Sequence, residues 1–241
     1  MVAVLMFAIF VQSAAGFAAG MLAVPLLMGM GYPLPTAMGS MLVATIPQNV
    51  LGVWRLRRTI RFRQVTPMAM IRIAMLPIGV GCLSRLDDAD PAVLRCIVGG
   101  VVLALTLLIM SNRTPSRRHL HPAWAVSAFA VSGFFQGLVG MGGPVMVLWV
   151  QSHRWSTARS RGFLFAMYTI SVLPAIGVLY AAFGNLILSG VAVASVATPV
   201  LLLATRWGLA AGDRLGRERL RHVTFALLIV IGVSGLLAPI W

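Results

Sequence analysis

Residues 133–147 read GFFQGLVGMGGPVMV, an uncharged apolar stretch interrupted by Gly140-Met141-Gly142-Gly143-Pro144. A glycine-proline break inside a hydrophobic helix frees backbone N–H and C=O groups, and in hydrocarbon each unpaired group costs several kcal/mol. The reading of this break decides the topology of the whole chain.

The surroundings are those of a membrane protein. Of 241 residues, 59% are hydrophobic and 10% charged, and the mean hydropathy of +0.94 exceeds what a soluble domain of this size can hide. The first charged residue is Arg55. The uncharged stretch before it would make a helix about 80 Å long, and one bilayer crossing takes roughly 20 residues, so this stretch must turn. Apolar segments fall at 1–27, 37–54, 65–84, 92–110, 123–150, 162–183, 187–205 and 223–240. They lack the alternation of a barrel strand, which predicts an all-α polytopic membrane protein in contact with the lipid bilayer.

Two halves of the chain resemble each other. GFAAGMLAVP from Gly16 matches GFFQGLVGMGGP from Gly133 as G-F-x-x-G followed by a proline. Thr36-Ala37 answers Thr157-Ala158, Pro77 answers Pro199, and Leu94-Arg95 answers Leu220-Arg221. The sequence therefore divides into repeat 1 at 1–112, a basic linker at 113–122 and repeat 2 at 123–241, with four apolar segments in each repeat.

The arginines orient these segments. If every segment is one straight crossing, the loops on the two sides carry eight and ten arginines, which is no bias. If 123–150 instead enters and leaves on one face as a hairpin broken at 140–144, the split becomes sixteen against two. The loops 55–63, 111–122, 151–161 and 206–222 then share the cytoplasmic side of a bacterial inner membrane. The net charge of +14 is explained by this pattern, and no polar domain is present to bind nucleic acid. Treating 1–31 as a matching hairpin gives each repeat one re-entrant hairpin plus three crossings, so the repeats are inverted. A single crossing by the N-terminal segment stays open as the alternative.

A helix beginning at Pro144 points free N–H groups and a positive dipole end at the midplane, as does a counterpart near Pro25. Facing ends of this kind can hold an anion without a buried cation. The candidate site residues are Gly137, Gly140, Gly142, Gly143, Pro144 and Gln136 from the second break, and Gly16, Gly20, Pro25, Gln12 and Ser13 from the first. Gln48, Asn49 and Tyr168 are added from the following helices. The competing reading is that the glycines only allow close helix packing and the polar groups only bond between helices. Arg72, the one formal charge inside a segment, reads as snorkelling to the basic interface.

The acids Asp87, Asp88, Asp90, Asp213 and Glu218 all lie in connecting regions, which disfavours a buried carboxylate relay or a carboxylate-based sodium site. The four histidines (119, 121, 153 and 222) have neither metal-ligand spacing nor a nucleophile pattern, so the sequence predicts no enzyme, metal or cofactor. Cys82 and Cys96 flank SRLDDADP and are read as free thiols, with a pair as the alternative. The N-terminal MVAVLMFAIFVQSAAG lacks a basic leading region and reads as mature protein rather than a signal peptide.

The paired G-F-x-x-G…P, the T-A that follows, the loop RLRRTIRFR and the closing GDRLGRERLRHVTFALLIVIGVSGLL together resemble the TauE/SafE sulfite exporters, of the 4-toluene sulfonate uptake permease family. The resemblance implies a permease for small anions such as sulfite, sulfonates or related organosulfur anions. Alternating access at a midplane site between the two broken helices is the expected mechanism. A passive anion channel and a non-transporting scaffold subunit are the rival classes, and a homo-oligomer is compatible with the sequence.

Overall fold

The structure, a computed structural model, describes residues 1–15, 18–86, 90–111, 121–215 and 217–237. Gly16, Asp87, Asp88 and the linker residues 113–120 lie outside these ranges. Every element among the described residues is a helix, without strands. The first half comprises α1 (Val2–Ala15), α2 (Ala19–Gly29), α3 (Leu34–Leu56), α4 (Phe62–Arg85) and α5 (Pro91–Ser111). The second comprises α6 (Pro122–Val139), α7 (Gly143–Gln151), α8 (Thr157–Phe183), α9 (Leu188–Val196), α10 (Thr198–Leu215) and α11 (Arg217–Leu236).

Phe62–Arg85, Pro91–Ser111, Pro122–Val139 and the stretch Thr157–Val196 are long and apolar enough to cross a membrane. Large apolar side chains such as Leu173 and Val196 point outward, as a lipid-facing surface requires. The chain is a multi-pass membrane protein.

The pair α6–α7 doubles back. The Ser132 hydroxyl, two turns before the end of α6, donates to the carbonyl of Gly142 (2.7 Å), which lies beyond the break. Further out, Phe129 of α6 stacks edge-on with Trp149 of α7 at 5.0 Å. His121 before α6 and His153 after α7 line one cavity, so both arms begin and end at the same end of the molecule. The pair α1–α2 lies at the opposite end. There α1 touches α9, α2 runs through 30–33 into α3, and the Thr36 hydroxyl donates to the Leu186 carbonyl (2.8 Å).

Packing partners exchange between the halves: α4 lies along α6 as α10 lies along α1, while α3 packs on α8 and α5 on α11. The α4–α6 contact is close because a Cβ at Gly133 would collide with the Arg72 carbonyl. One at Gly137 would lie 2.8 Å from the Val80 nitrogen.

Three expectations need correction. The left-handed turn before α2 is at Ala18, and Pro25, where the first break was expected, lies inside α2. There Pro25 deprives the Met21 carbonyl of its helical partner without ending the helix. The arginine-rich stretch 206–222 is mostly helix rather than loop, because α10 and α11 run through a Leu-, Ala- and Arg-rich sequence of good helix formers. The segment 187–205 is two helices meeting at Ala197, two residues before Pro199, where a proline disfavours continuous helix. Cys82 and Cys96 are both free.

Candidate substrate-binding site

The second break is written into the sequence. Gly140 adopts the left-handed conformation (φ 74°), its N–H donates to the Gln136 carbonyl (3.1 Å), and the Met141 N–H donates to the Phe135 carbonyl (3.2 Å). This is a left-handed helix ending, with the Gly140 N–H closing on the carbonyl four residues back, and glycine adopts it without steric cost. Pro144 follows in the first turn of α7, where its missing N–H has no helical acceptor to lose. On the other side, Ala18 occupies the same left-handed region (φ 87°) immediately before α2. The tips meet: a Cβ at Gly20 would lie 2.8 Å from the Gly140 carbonyl oxygen.

A cavity of about 60 Å³ lies between the tips. One water needs roughly 10–15 Å³ by the same measure, so the space holds on the order of four water-sized groups. Of the candidate residues from the sequence, Gln12, Gly20, Asn49, Gln136, Gly140, Gly143, Pro144 and Tyr168 line it. Of the other candidates, Gly16 falls outside the described residues and the rest lie elsewhere. Gly137 packs against α4 and Gly142 against Ser132 and Gln136 inside the hairpin turn; Pro25 sits within α2, and Ser13 and Gln48 line a neighbouring cavity.

Arg72 also lines the cavity, and its snorkelling reading is overturned: the side chain is only 2% exposed. Its Nε donates to Ser132 Oγ (3.2 Å), its Nη2 to Gln136 Oε1 (2.9 Å) and its Nη1 to Ser171 Oγ. Ser132 in turn donates to the Gly142 carbonyl, while Gln136 Oε1 also accepts from the Gly142 N–H (3.2 Å). Arg72 thus braces the α7 tip through two side chains. The guanidinium lies 5.7 Å from the Tyr168 ring centre.

None of the partners described for Arg72 is a carboxylate. A guanidinium has five N–H donors, and these three bonds leave two for a ligand. A buried cation held by neutral dipoles alone has lost its hydration without gaining a counter-charge, and an anion in the cavity supplies one. The signal in the sequence was the lone charge inside an apolar segment; its direction depended on α6 and α8, which the sequence does not place.

A family profile described as "Sulfite exporter TauE/SafE" matches residues 1–235. A protein of Cupriavidus necator named "Probable sulfite/organosulfonate exporter TauE" is 25% identical over 235 residues, which cover 95% of this chain and 90% of that protein. No solved structure matches.

Proposed function

The chain belongs to the TauE/SafE sulfite exporter family, and we propose that it is a secondary transporter exporting sulfite or a small organosulfonate across the cytoplasmic membrane. The observation that carries this reading is Arg72, buried at the wall of the cavity between the two tips with no carboxylate among its described partners. The start of α7, at Gly143 and Pro144, faces the same space and adds the positive end of a helix dipole. A pyramidal oxyanion of four heavy atoms suits a cavity with room for about four water-sized groups better than a sulfonate with a longer chain.

Inverted repeats supply the movement in this reading. The halves present matching hairpins and exchange packing partners, so rocking one half against the other exposes the shared cavity to either face in turn. The arginine-rich ends at 55–63 and 151–161 face the cytoplasm by the positive-inside rule. The family profile and the related exporter favour a carrier over a channel or scaffold.

Purified protein in liposomes loaded with radiolabelled sulfite tests the proposal. A carrier gives efflux that saturates with sulfite concentration and is lost in Arg72→Leu. Efflux linear in concentration identifies a channel, and no flux in excess of empty liposomes removes the transport reading.

A further inference from the structure

A second cavity, about 180 Å³, adjoins the first and shares Gln12 and Tyr168 with it. Two helices carry lining residues from one cavity into the other. On α3, Met41 and Thr45 line the inner cavity and Gln48, Gly52 and Arg55 the outer one. On α8, Ala175 and Val172 line the inner cavity and Phe165 and Arg161 the outer one, with Tyr168 between. Both series run in steps of three and four, which is one face of a helix. From Met41 to Arg55 such a face covers about 20 Å, enough to link a midplane site with the arginine-rich end.

The outer cavity also holds polar groups that the protein leaves unpartnered. Ser13 Oγ and Gln48 Oε1 have no hydrogen-bond partner, although their residues are only 3% and 5% exposed. Buried polar atoms of this kind are normally satisfied, so the partner must come from the contents of the cavity. A hydroxyl, and an amide that can turn its NH2 end inward, both donate to an oxyanion. Tyr168 separates the two spaces: its hydroxyl lies 2.5 Å from where a Cβ on Gly143 would be, and its ring faces Arg72.

We propose that the outer cavity is an entry vestibule for anions on the arginine-rich face, that Arg55 and Arg161 draw the anion into it, and that Tyr168 is the gate to the Arg72 site. The proposal rests on the transporter reading above and adds the route and the gate. Two arginines at one end of a low-dielectric cleft concentrate anions there, and Ser13 and Gln48 replace part of the anion's hydration on the way in. Removal of Tyr168 joins the two cavities.

Cysteine labelling tests this in the full-length protein carrying Cys82→Ser and Cys96→Ser. Leu51→Cys places a thiol in the vestibule and Met41→Cys one beyond the gate. Anionic and cationic membrane-impermeant methanethiosulfonates are applied to inside-out and right-side-out vesicles. Leu51→Cys is expected to react only in inside-out vesicles, with the anionic reagent favoured at least about tenfold. That preference should fall when Arg55 and Arg161 are changed to Gln.

Met41→Cys is expected to be shielded until Tyr168→Ala is added. Reaction of Leu51→Cys from the other face or from neither, no preference for the anionic reagent, or unchanged shielding of Met41→Cys in Tyr168→Ala each overturns the vestibule. The transport reading fails separately: the parent protein would then give no sulfite flux above empty liposomes even with the labelling pattern as expected.

Discussion

The two hairpin tips meet at one cavity but are chemically unequal. At the second tip a glycine takes the left-handed turn, a proline opens the next helix, and Ser132 and Gln136 bind the turn to Arg72. At the first tip an alanine takes the same turn, and the proline lies deep within α2. Ser132 and Gln136 precede Gly140 by eight and four residues; at the same distances before Ala18 stand Phe10 and Ala14. Arg72 lies five residues before Pro77, and Ala194, five before Pro199, is fully buried. The packing of the hairpins is matched between the halves, and the buried arginine is not. In the proposed transporter a single cation suits a single anion, with the first tip as the opposing wall.

The largest expected effect comes from removing that asymmetry. Arg72→Leu deletes the only charge among the described residues lining the cavity and leaves Ser132, Gln136 and Ser171 without their shared donor. Truncating one side of a buried, hydrogen-bonded charge interaction costs about 2–5 kcal/mol, so sulfite efflux from liposomes should fall at least about 30-fold. Arg72→Lys keeps the charge but cannot reach three acceptors as a planar fork, and should recover only part of the flux. If Arg72→Leu exports sulfite like the parent protein, the two tips are chemically equivalent and the arginine is only a brace.

Next come the glycines on either side of the cavity. A Cβ at Gly142 would meet Gln136 Cβ at 2.9 Å and Arg72 Nη2 at 3.1 Å, as well as the Ser132 carbonyl; one at Gly20 meets chiefly the Gly140 carbonyl. Overpacking of this kind costs about 1–3 kcal/mol. Gly142→Ala should therefore lower the melting temperature in detergent and raise the KM for sulfite, because it displaces Arg72. Gly20→Ala should cost less, since only the gap between the tips must widen. Equal effects would mean that the Arg72 brace contributes nothing to the second tip.

Gly137→Ala separates the tip from the helix that carries it. Its Cβ would press on the α4 backbone, and Gly137 does not line the cavity between the tips. The melting temperature should drop while KM stays near the parent value. A rise in KM would show that the α4–α6 contact also sets the site.

These contrasts mark what the sequence can and cannot express. The second hairpin was legible because charge partition between the faces is a property of the linear chain, and sixteen arginines against two favour a segment that doubles back, as α6–α7 does. GFFQGLVGMGGP proved to hold two functions: Gly133 and Gly137 let α4 approach, and only Gly140 onward forms the break. Their role depends on a helix some sixty residues away, and no local pattern reports that. Arg72 was misread for the same reason. Snorkelling or turning inward is decided by where Ser132, Gln136 and Ser171 are brought, and they come from α6 and α8. The first break was misplaced because a proline is visible in sequence, whereas a left-handed alanine is not.

That alanine gives the smallest and most discriminating test. A left-handed conformation costs a residue with a Cβ about 1–2 kcal/mol, and Ala18 is the only non-glycine residue with positive φ among those described. Ala18→Gly removes the cost but loosens the unfolded chain by about 0.4–1 kcal/mol, so a net gain of roughly 0.5–1 kcal/mol is expected. The reciprocal change, Gly140→Ala, adds the strain and also brings a Cβ to 3.0 Å from Met38 Cγ, so it should destabilise by more than Ala18→Gly stabilises. Opposite signs in reversible detergent unfolding would show that one turn geometry is strained at the first tip and relaxed at the second. If Ala18→Gly gives no gain, the first tip is not held in a strained turn. The difference between the hairpins then reduces to Arg72 and the two side chains through which it grips the second.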